Sequence, residues 1–348
     1  MPVRNEASYI VRSLDAVFAQ DYPDDRLEVI VADGMSTDGT RARVESEQSR
    51  RPSLRLVDNP RRTAPAGLNA ALRVARGEIV IRVDGHCEIA SDYVKRCVSH
   101  LSSGGADAVG GPITTVGENR LAEAIAAAMS SAFGVGGSAF RTIQGKTLFV
   151  DSVAFPAYRR DLLERLGPFD EELVRNQDDE YNYRLRKSGG RVLLAADVRS
   201  RYYSRGSWRS LWRQYFQYGF WKVRVLQKHP RQMNLRQFAP AAFVAVLLAA
   251  AAAAFFSPIG LWGLVLLLGA YVGANLGAAF IAARRYGMRL FPLLPPAFAI
   301  LHMAYGLGFW TGLVRFWNRW GSSKVVRVGG AQNVAAPEAR PADSVGRR

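Results

Sequence analysis

The chain has 348 residues, of which 49% are hydrophobic, so it is long enough to bury a full core and to form about two domains. Its formal net charge is +16, which favours an anionic partner. Residues 198–337 contain 17 basic residues and no acidic one, and the basic residues flank long apolar segments. This arrangement favours the anionic face of a membrane and argues against nucleic acid as the partner.

The stretch from Met1 to Glu6 is typical of the turn that follows a β-strand, and a helix is predicted from Ser8 to Gln20. The turn has no preceding residues that would form this strand. We therefore expect that a short strand rich in Val and Ile is encoded upstream of Met1.

Strands and helices alternate in the next part of the chain. A buried strand is predicted from Leu27 to Ala32, and a further strand from Leu54 to Val57. Polar residues after the first of these strands favour a helix that begins at about Thr40. A further helix is predicted from Thr63 to Ala75, with its apolar side facing the sheet. The alternation predicts an α/β domain with a mostly parallel sheet and helices on both faces.

An apolar run that begins at Glu78 ends abruptly at Asp84, Gly85 and His86. In an open α/β sheet the ligand site lies beyond the carboxyl ends of the strands, where a carboxylate and an imidazole spaced i, i+2 can share one divalent ion. Gly85 permits a tight turn between them. An ordinary Asp-Gly turn is the alternative. The neighbouring strands favour the metal site, with Asp84 and His86 as ligands.

A cluster of acidic residues lies within the segment from Asn176 to Gly190. A helix is predicted to begin near Asp178 and to run to about Lys187. Asp178 is a candidate general base, although acidic residues are also favoured at a helix N-terminus by the helix dipole. The apolar stretch from Leu121 to Phe140 is interpreted as core rather than as a flap over a site.

The segment from Ser207 to Gln227 interleaves aromatic side chains with Arg and Lys, a pattern typical of a helix in a membrane interface. Two functions fit this pattern equally well. The helix either binds the phosphate of a lipid or serves only as an anchor.

Three uncharged apolar segments follow, from Phe238 to Phe256, from Ile259 to Ala283 and from about Leu290 to Val314. Each is long enough to cross a bilayer core of about 30 Å. The connection at Ser257 and Pro258 is very short, so the first two segments are predicted to form a hairpin. Basic residues before the first segment and after the second mark the cytoplasmic side.

The placement of the third apolar segment remains open at this stage. A full crossing would put the basic residues after Val314 outside, against the positive-inside rule. Alternatively, Pro292, Pro295 and Pro296 interrupt the segment, so that it re-enters or lies in the interface and keeps the tail inside.

The polar start of the chain is not a signal peptide, so the first domain is expected to be cytosolic, with Cys87 and Cys97 as packing residues. The sequence predicts a cytosolic α/β domain at 1–200 and a basic aromatic interfacial segment at 201–236. A membrane region of two to three transmembrane helices is predicted at 237–316, and a disordered basic tail at 317–348. The expected location is the inner (plasma) membrane.

Four motifs in this order resemble those of family 2 glycosyltransferases with the GT-A fold. They are PVRNE at the first turn, VADGMSTDGT after the second strand, VDGH, and NQDDEYNYRLRKSGG. The variant DGH, together with NQDDE and the C-terminal apolar segments, is most similar to the succinoglycan-biosynthesis glucosyltransferases.

The resemblance implies a role for each matching residue. Pro2, Arg4 and Glu6 would line the nucleotide, and Asp33 would pair with the uracil edge. Asp84 would hold the metal on the diphosphate, with His86 in place of the usual second Asp, which leaves Mn²⁺ or Mg²⁺ open. Asp178 matches the catalytic Asp of the family, and Gln177 replaces the Glu that usually precedes it.

The implied activity is transfer of one hexose, with inversion, from a UDP-sugar to a polyprenyl-diphosphate-linked saccharide in exopolysaccharide or cell-envelope glycan synthesis. One alternative is a processive polysaccharide synthase, which the replacement of the motif arginine by Phe220 disfavours. The other alternative is a catalytically inactive membrane scaffold in a glycan-assembly complex.

Overall fold

The computed structural model of the chain describes residues 1–204 and 206–320. The strands are β1 (Pro2–Val3), β2 (Val29–Asp33), β3 (Leu54–Asp58), β4 (Ile79–Ile81), β5 (Cys87–Ile89), β6 (Ala108–Gly111), β7 (Ile113–Val116), β8 (Leu148–Phe149), β9 (Ala154–Arg159), β10 (Val192–Leu194) and β11 (Ser200–Tyr203). The helices are α1 (Ile10–Phe18), α2 (Thr40–Gln48), α3 (Ala64–Val74), α4 (Tyr93–Ser102), α5 (Arg120–Met129), α6 (Ala132–Val135), α7 (Ala139–Thr142), α8 (Arg160–Leu166), α9 (Gln177–Lys187), α10 (Trp208–Lys228), α11 (Ala239–Phe256), α12 (Pro258–Tyr286) and α13 (Leu294–Arg315). Short 3-10 helices lie at Asp24–Arg26, Leu235–Gln237, Met288–Leu293 and Trp317–Arg319.

The first sheet contains β1, β2 and β3 in that order, and all its pairings are parallel. The two predicted strands are confirmed as β2, which is fully buried, and β3, which is mostly half-buried. β1 is only two residues long, and the amino group of Met1 donates a hydrogen bond to the carbonyl oxygen of Ile30 at 2.8 Å. Contact with β2 therefore starts at the first residue of the chain, and a strand encoded upstream of Met1 stays a prediction.

The other two sheets are mixed, with the strand orders β4-β9-β6-β10-β8 and β5-β11-β7. β4, which leads toward Asp84, is antiparallel to β9, whereas β6 and β10 are parallel. The predicted α/β class is confirmed. Pairing around β4 departs from a simple parallel order because β9, far along the chain, enters between β4 and β6.

Local sequence signals explain where the early helices begin. α2 begins at Thr40, as predicted, because the Asp38 carboxylate accepts the Thr40 backbone N–H at 3.0 Å. Gly39 precedes the helix with φ 91°, a left-handed conformation that favours glycine. α3 lies within the range predicted for it, with Leu68 buried.

α5 is part of the main core, where Ala124, Ile125 and Met129 are buried. The interpretation of the stretch from Leu121 as core is therefore confirmed for this helix. Most of the following residues, through α6 and α7, are partly buried or exposed, and several of them line a cavity.

The C-terminal part contains three helices that are long and apolar enough to cross a membrane by length and composition. α11 and α12 are joined at Ser257, whose side chain accepts the Ile259 N–H at 3.1 Å. The most apolar windows of both helices are only 11% buried, and Phe256 at the turn is 90% exposed. These features fit the predicted hairpin. The third apolar segment differs, because 39% of its window is buried inside the protein.

α10 confirms the predicted helix between Ser207 and Gln227, but part of its basic side faces inward. Lys222 and Arg224 are buried, and they pair with Asp179 and Glu172 of the α/β domain. These two cations therefore contact protein carboxylates rather than a lipid surface. The predicted tail extends beyond Trp320 and from there lies outside the described residues.

Candidate active site

A cavity of about 820 Å³ lies between the α/β domain and the helices that follow it. The end of the cavity in the α/β domain is polar and contains Arg82, Asp84, His86 and Asp178. All three residues predicted as metal ligands or base thus line one space. Gln177, which precedes Asp178, is buried and lines the same cavity.

Arg82 connects the two carboxylates of this polar end. Its Nε atom lies 3.0 Å from Asp84 Oδ1 and its Nη2 atom 3.2 Å from Asp84 Oδ2, which makes a bidentate pair. Its Nη1 atom lies 3.6 Å from Asp178 Oδ2. Burial by itself would raise the pKa of Asp84, but the attraction of Arg82 outweighs it, and the pKa lies below its ordinary value. Asp84 is therefore held as the anion that a metal ion requires.

The three consecutive acids at the start of α9 have different partners. Asp179 pairs with Lys222, and Glu180 pairs with Arg184 at 2.7 Å and lies 3.0 Å from His229 Nε2. Asp178 keeps the most exposed carboxylate of the three, with a 40% exposed side chain that faces the cavity. Of these acids, Asp178 is therefore the one available to a substrate.

Asn176, the residue immediately before α9, sets the position of Asp178. Asn176 takes φ 63°, a left-handed conformation that Asn tolerates better than most residues. Its side-chain amide donates to the carbonyl oxygen of Tyr218 in α10 at 3.0 Å. The start of α9 is thus attached to α10, which explains why Asp178 points into the space between the α/β domain and the C-terminal helices.

His86 lies beside the first turn of the chain, and its environment fits a metal ligand. The Nδ1 atom of His86 is buried 3.0 Å from Glu6 Oε1, yet it has no hydrogen-bond partner in the described part of the chain. An imidazole nitrogen can bind Mn²⁺, and Asp84 supplies an anionic oxygen in the same cavity. Residues 1–204 and 206–320 contain no group of three His, Cys, Asp or Glu side chains that could hold a metal. Further ligands would therefore have to come from a substrate or water.

The residues predicted to bind a nucleotide lie next to this centre, at the carboxyl ends of β1 and β2. Gly85 brings the two motifs together, because a Cβ atom at this position would lie 2.8 Å from Val3 and 3.2 Å from Glu6. Pro2 and Arg4 belong to the same turn, where Pro2 is partly buried and Arg4 is exposed. The structure thus places PVRNE against VDGH, as a shared nucleotide and metal site would need.

Asp33 ends β2 and is fully buried. Its carboxylate accepts the backbone N–H of Ser36 at 3.2 Å, and Arg41 Nη1 lies 3.8 Å away. A nucleobase that pairs with Asp33 must therefore compete with Ser36. Pairing with uracil stays a prediction.

The C-terminal helices line the cavity with both apolar and polar side chains. Phe243 of α11 and Leu301 of α13 lie there together with Tyr271 and His302, and Arg141 and Arg213 also line the cavity. Neither arginine has an ion pair with a carboxylate among the described residues. The cavity therefore offers positive charge to an anionic group and apolar surface to a hydrocarbon chain.

Sequence reasoning missed Arg82 and Lys222 as parts of the site. A signal for Arg82 was present, because a lone arginine in an apolar strand, two residues before Asp84, points to the same face as that carboxylate. Lys222 has no local signal, because its contact with Asp179 spans 43 residues. Arg61 pairs with Glu171, and neither it nor the neighbouring Arg62 lines the cavity.

Comparison with known proteins gives consistent similarities. Residues 1–167 match the family described as Glycosyl transferase family 2. The chain is 32% identical over 325 residues to the succinoglycan biosynthesis protein ExoA of Rhizobium meliloti (strain 1021), covering 92% of this chain and 95% of that protein. It is 25% identical over 323 residues to the dolichyl N-acetyl-alpha-D-glucosaminyl phosphate 3-beta-D-2,3-diacetamido-2,3-dideoxy-beta-D-glucuronosyltransferase of Methanococcus voltae, covering 90% of this chain and 96% of that protein.

Among solved structures, the chain is similar to the mannosyltransferase PcManGT from Pyrobaculum calidifontis, in complex with GDP-Man and Mn²⁺. The TM-score is 0.56 and the identity 25%, with 89% of this chain and 86% of that chain covered. The predicted GT-A fold is confirmed by this similarity and by the family match.

Proposed function

The chain belongs to glycosyl transferase family 2, and we propose that it transfers a hexose from a UDP-sugar to a lipid-linked saccharide with inversion. Glucose is the first donor sugar to test, since the relative from Rhizobium meliloti acts in succinoglycan biosynthesis and our sequence resembles the glucosyltransferases of that process. One observation carries the proposal: a single cavity joins Asp84, His86 and Asp178 to apolar residues of the C-terminal helices.

Asp178 acts as the general base in this proposal. The acceptor hydroxyl oxygen attacks the anomeric carbon, the bond from that carbon to the diphosphate oxygen breaks, and the hydroxyl proton passes to the Asp178 carboxylate. Support comes from the 40% exposure of this carboxylate toward the cavity, whereas Asp179 and Glu180 are engaged by cations. Arg82, which contacts Asp178, positions the carboxylate.

Asp84 and His86 would hold the divalent metal, Mn²⁺ or Mg²⁺, together with the diphosphate of the donor. The bound metal would neutralise charge that develops on the leaving diphosphate. The mannosyltransferase PcManGT was solved with Mn²⁺, which supports metal dependence. Pro2, Arg4, Glu6 and Asp33 would form the nucleotide side of this site, as the family resemblance implies.

The acceptor would be a saccharide on a polyprenyl diphosphate. The name of the Methanococcus voltae relative includes a dolichyl-linked phosphate, which supports a substrate of this class. Arg141 and Arg213 line the cavity and carry positive charge, and Phe243 and Leu301 offer apolar surface in the same cavity. The acceptor phosphates would bind the two arginines, and the first isoprenoid units would contact the apolar residues.

The enzyme would act at the inner membrane, with the α/β domain on the cytoplasmic side. Arg284 and Arg285 at the end of α12 and Arg236 before α11 support this orientation through the positive-inside rule. The hairpin of α11 and α12 would provide the multi-pass attachment.

The decisive experiment measures transfer of labelled sugar into lipid-extractable product by membranes that contain the full chain. UDP-glucose and GDP-mannose are compared as donors, each with Mn²⁺ or EDTA. Asp178→Asn is expected to lower the rate by about 10²- to 10⁴-fold, the usual contribution of general base catalysis.

Asp161→Asn is the matched control, because Asp161 also lies in the first turn of a helix but outside the cavity. This control is expected to keep full activity. A labelled product that forms equally well with Asp178→Asn would contradict the assignment of the base. One discrete product would agree with a single transfer, whereas a long polymer would favour a processive synthase.

A further inference from the structure

Both ends of the third apolar segment are attached to the α/β domain. At its start, the Arg289 guanidinium pairs with Glu123 of α5 at 2.8 Å, and Arg120 donates to the carbonyl oxygen of Arg289 at 3.1 Å. At its end, the side chain of Arg319 pairs with Glu172 at 3.1 Å. α5 belongs to the main core of the α/β domain, and Glu172 lies in the same domain next to the fully buried Leu173, so both anchoring points lie on the α/β domain.

The middle of α13 also contacts this domain. The His302 Nε2 atom lies 2.8 Å from the carbonyl oxygen of Phe133 in α6, and the rings of Phe133 and Phe298 meet edge to face with centroids 5.1 Å apart. Leu301 is buried in the same core cluster as Ile125. Contacts with the α/β domain therefore occur near the start, the middle and the end of a helix of 22 residues.

α10 covers a further side of α13 through direct backbone contact. A Cβ atom at Gly308 would lie 2.1 Å from the carbonyl oxygen of Phe216, and one at Gly219 would lie 2.0 Å from that of Tyr305. The two helices approach this closely only because glycines face each other's backbone. α10 itself is tied to the α/β domain by the Arg224 pair with Glu172.

From these contacts we infer that α13 does not cross the membrane but lies along its surface, docked on the α/β domain, with a lipid bilayer as the partner of its outer side. A helix of 22 residues is about 33 Å long, the thickness of a bilayer core, so a crossing would put its two ends on opposite sides. The observed anchoring of both ends to one soluble domain excludes that arrangement.

The preceding helices lead to the same conclusion. α11 and α12 form a hairpin, which crosses twice and returns the chain to the side of the α/β domain. Arg289 then contacts Glu123 immediately after the hairpin. The third segment therefore has the interfacial placement. The end of α13 stays on the cytoplasmic side, which the positive-inside rule favours for Arg315 and Arg319.

The C-terminal end of the segment exposes side chains that are typical of a membrane-surface element. Val314 and Trp317 are each 73% exposed, and Trp310 and Trp320 are also exposed. Tryptophan is enriched where a membrane meets water, because its ring is apolar and its N–H is polar. These exposed side chains therefore contact the headgroup layer of the same bilayer that the adjacent hairpin crosses.

Membrane sidedness can be measured with single cysteines in the full chain. Asn318→Cys reports the end of α13, Ser257→Cys reports the tip of the hairpin, and Ser46→Cys reports the α/β domain. Each variant is treated with a membrane-impermeant maleimide in right-side-out and in inside-out vesicles. The native Cys87 and Cys97 are buried, so the unmodified chain provides the background.

We expect Asn318→Cys to react together with Ser46→Cys in inside-out vesicles, and Ser257→Cys to react in right-side-out vesicles. Reaction of Asn318→Cys from the same side as Ser257→Cys would overturn the inference. If the cysteine at 318 is shielded in both preparations, a reporter that fluoresces only in the cytoplasm, fused after Arg348, determines the side. The inference is overturned if the reporter fused after Arg348 is not fluorescent while a control reporter fused before the hairpin is.

Contact with the bilayer surface is tested separately by spin labels at Val314→Cys and at Leu266→Cys, which lies in the first third of α12 and is 70% exposed. Collision with oxygen and with a water-soluble nickel chelate gives the depth of each label. We expect the label at 314 to lie at the level of the headgroups and the label at 266 deep in the hydrocarbon. Equal depths, or a label at 314 that never contacts lipid, would contradict the proposed partner.

Discussion

Replacement of Arg82 by Met should destabilise the protein and at the same time strengthen its response to metal. Arg82 forms a bidentate pair with Asp84, and their side chains are only 12% and 20% exposed. Removing one partner of a buried ion pair costs about 3–5 kcal/mol, because the other charge stays buried without compensation. For a domain of roughly 200 residues, each kcal/mol corresponds to about 2–4 °C, so we expect Tm to fall by about 6–20 °C in EDTA.

Mn²⁺ should restore much of this loss in Arg82→Met. In the native protein Arg82 and a metal would compete for the same carboxylate, whereas in the variant the metal alone would neutralise Asp84. The assay is thermal unfolding of detergent-solubilised full-length protein over a series of Mn²⁺ concentrations. The midpoint of the Mn²⁺ titration should move to lower concentration in the variant than in the native protein.

Two controls separate this explanation from a general loss of packing. Arg159→Met breaks an exposed pair with Asp161 and should change Tm little, because exposed pairs contribute about 0–1 kcal/mol. Arg82→Lys keeps the charge without the bidentate geometry and should lie between the native protein and Arg82→Met. A Tm of Arg82→Met within about 1 °C of native in EDTA would refute the buried-pair argument. A lowered Tm that Mn²⁺ does not restore would show that Asp84 is not a metal ligand.

Three further outcomes follow from the contacts described above. Partial burial alone would raise the pKa of Glu172, but Arg224 and Lys228 outweigh it and lower this pKa to about 2. The stability that the carboxylate contributes is therefore present above its ordinary pKa of about 4.5 and disappears as the pH falls toward 2. Unfolding curves of Glu172→Gln and native protein should differ at pH 7 and converge near pH 2, and a difference that stays constant with pH would contradict this. Gly308→Ala places a methyl group against the backbone of α10 and should lower the free energy of chemical unfolding by at least about 1–3 kcal/mol. Gly273→Ala is the control, because the space around Gly273 is open and the variant should not be destabilised. Equal effects of the two substitutions would argue against the close helix contact. Arg141→Ala and Arg213→Ala should each raise the KM for the lipid-linked acceptor and leave the KM for the nucleotide sugar unchanged, and an equal rise in both values would place these arginines elsewhere in the reaction.

Much of the fold and of the site could be read from local sequence. β2 and β3 lie within one or two residues of the strands predicted for them, because short, mostly apolar runs between turn signals are typical of strands. α9 begins at Gln177, next to the predicted Asp178, since acidic residues favour the first turn of a helix. Length and charge also marked the membrane segments. Where the structure could test them, these predictions were confirmed because each depends on interactions between residues that are close in the chain.

Contacts over long sequence distance could not be read in this way. The direction of β4 depends on β9, about 75 residues later, and the partner of Asp179 is Lys222, 43 residues away. A hydropathy pattern describes α13 as a possible crossing as readily as a docked helix, because both bury apolar side chains.

By itself, the sequence determined the α/β class, the motif residues at strand and helix ends, and the presence of three apolar segments. The tertiary structure decided which acid stays open in the cavity, that Arg82 joins Asp84 to Asp178, and that both ends of the third apolar segment are attached to the α/β domain. The physical reason is that periodicity and capping act within a few residues, whereas ion pairs and helix packing join residues that only the folded chain brings together.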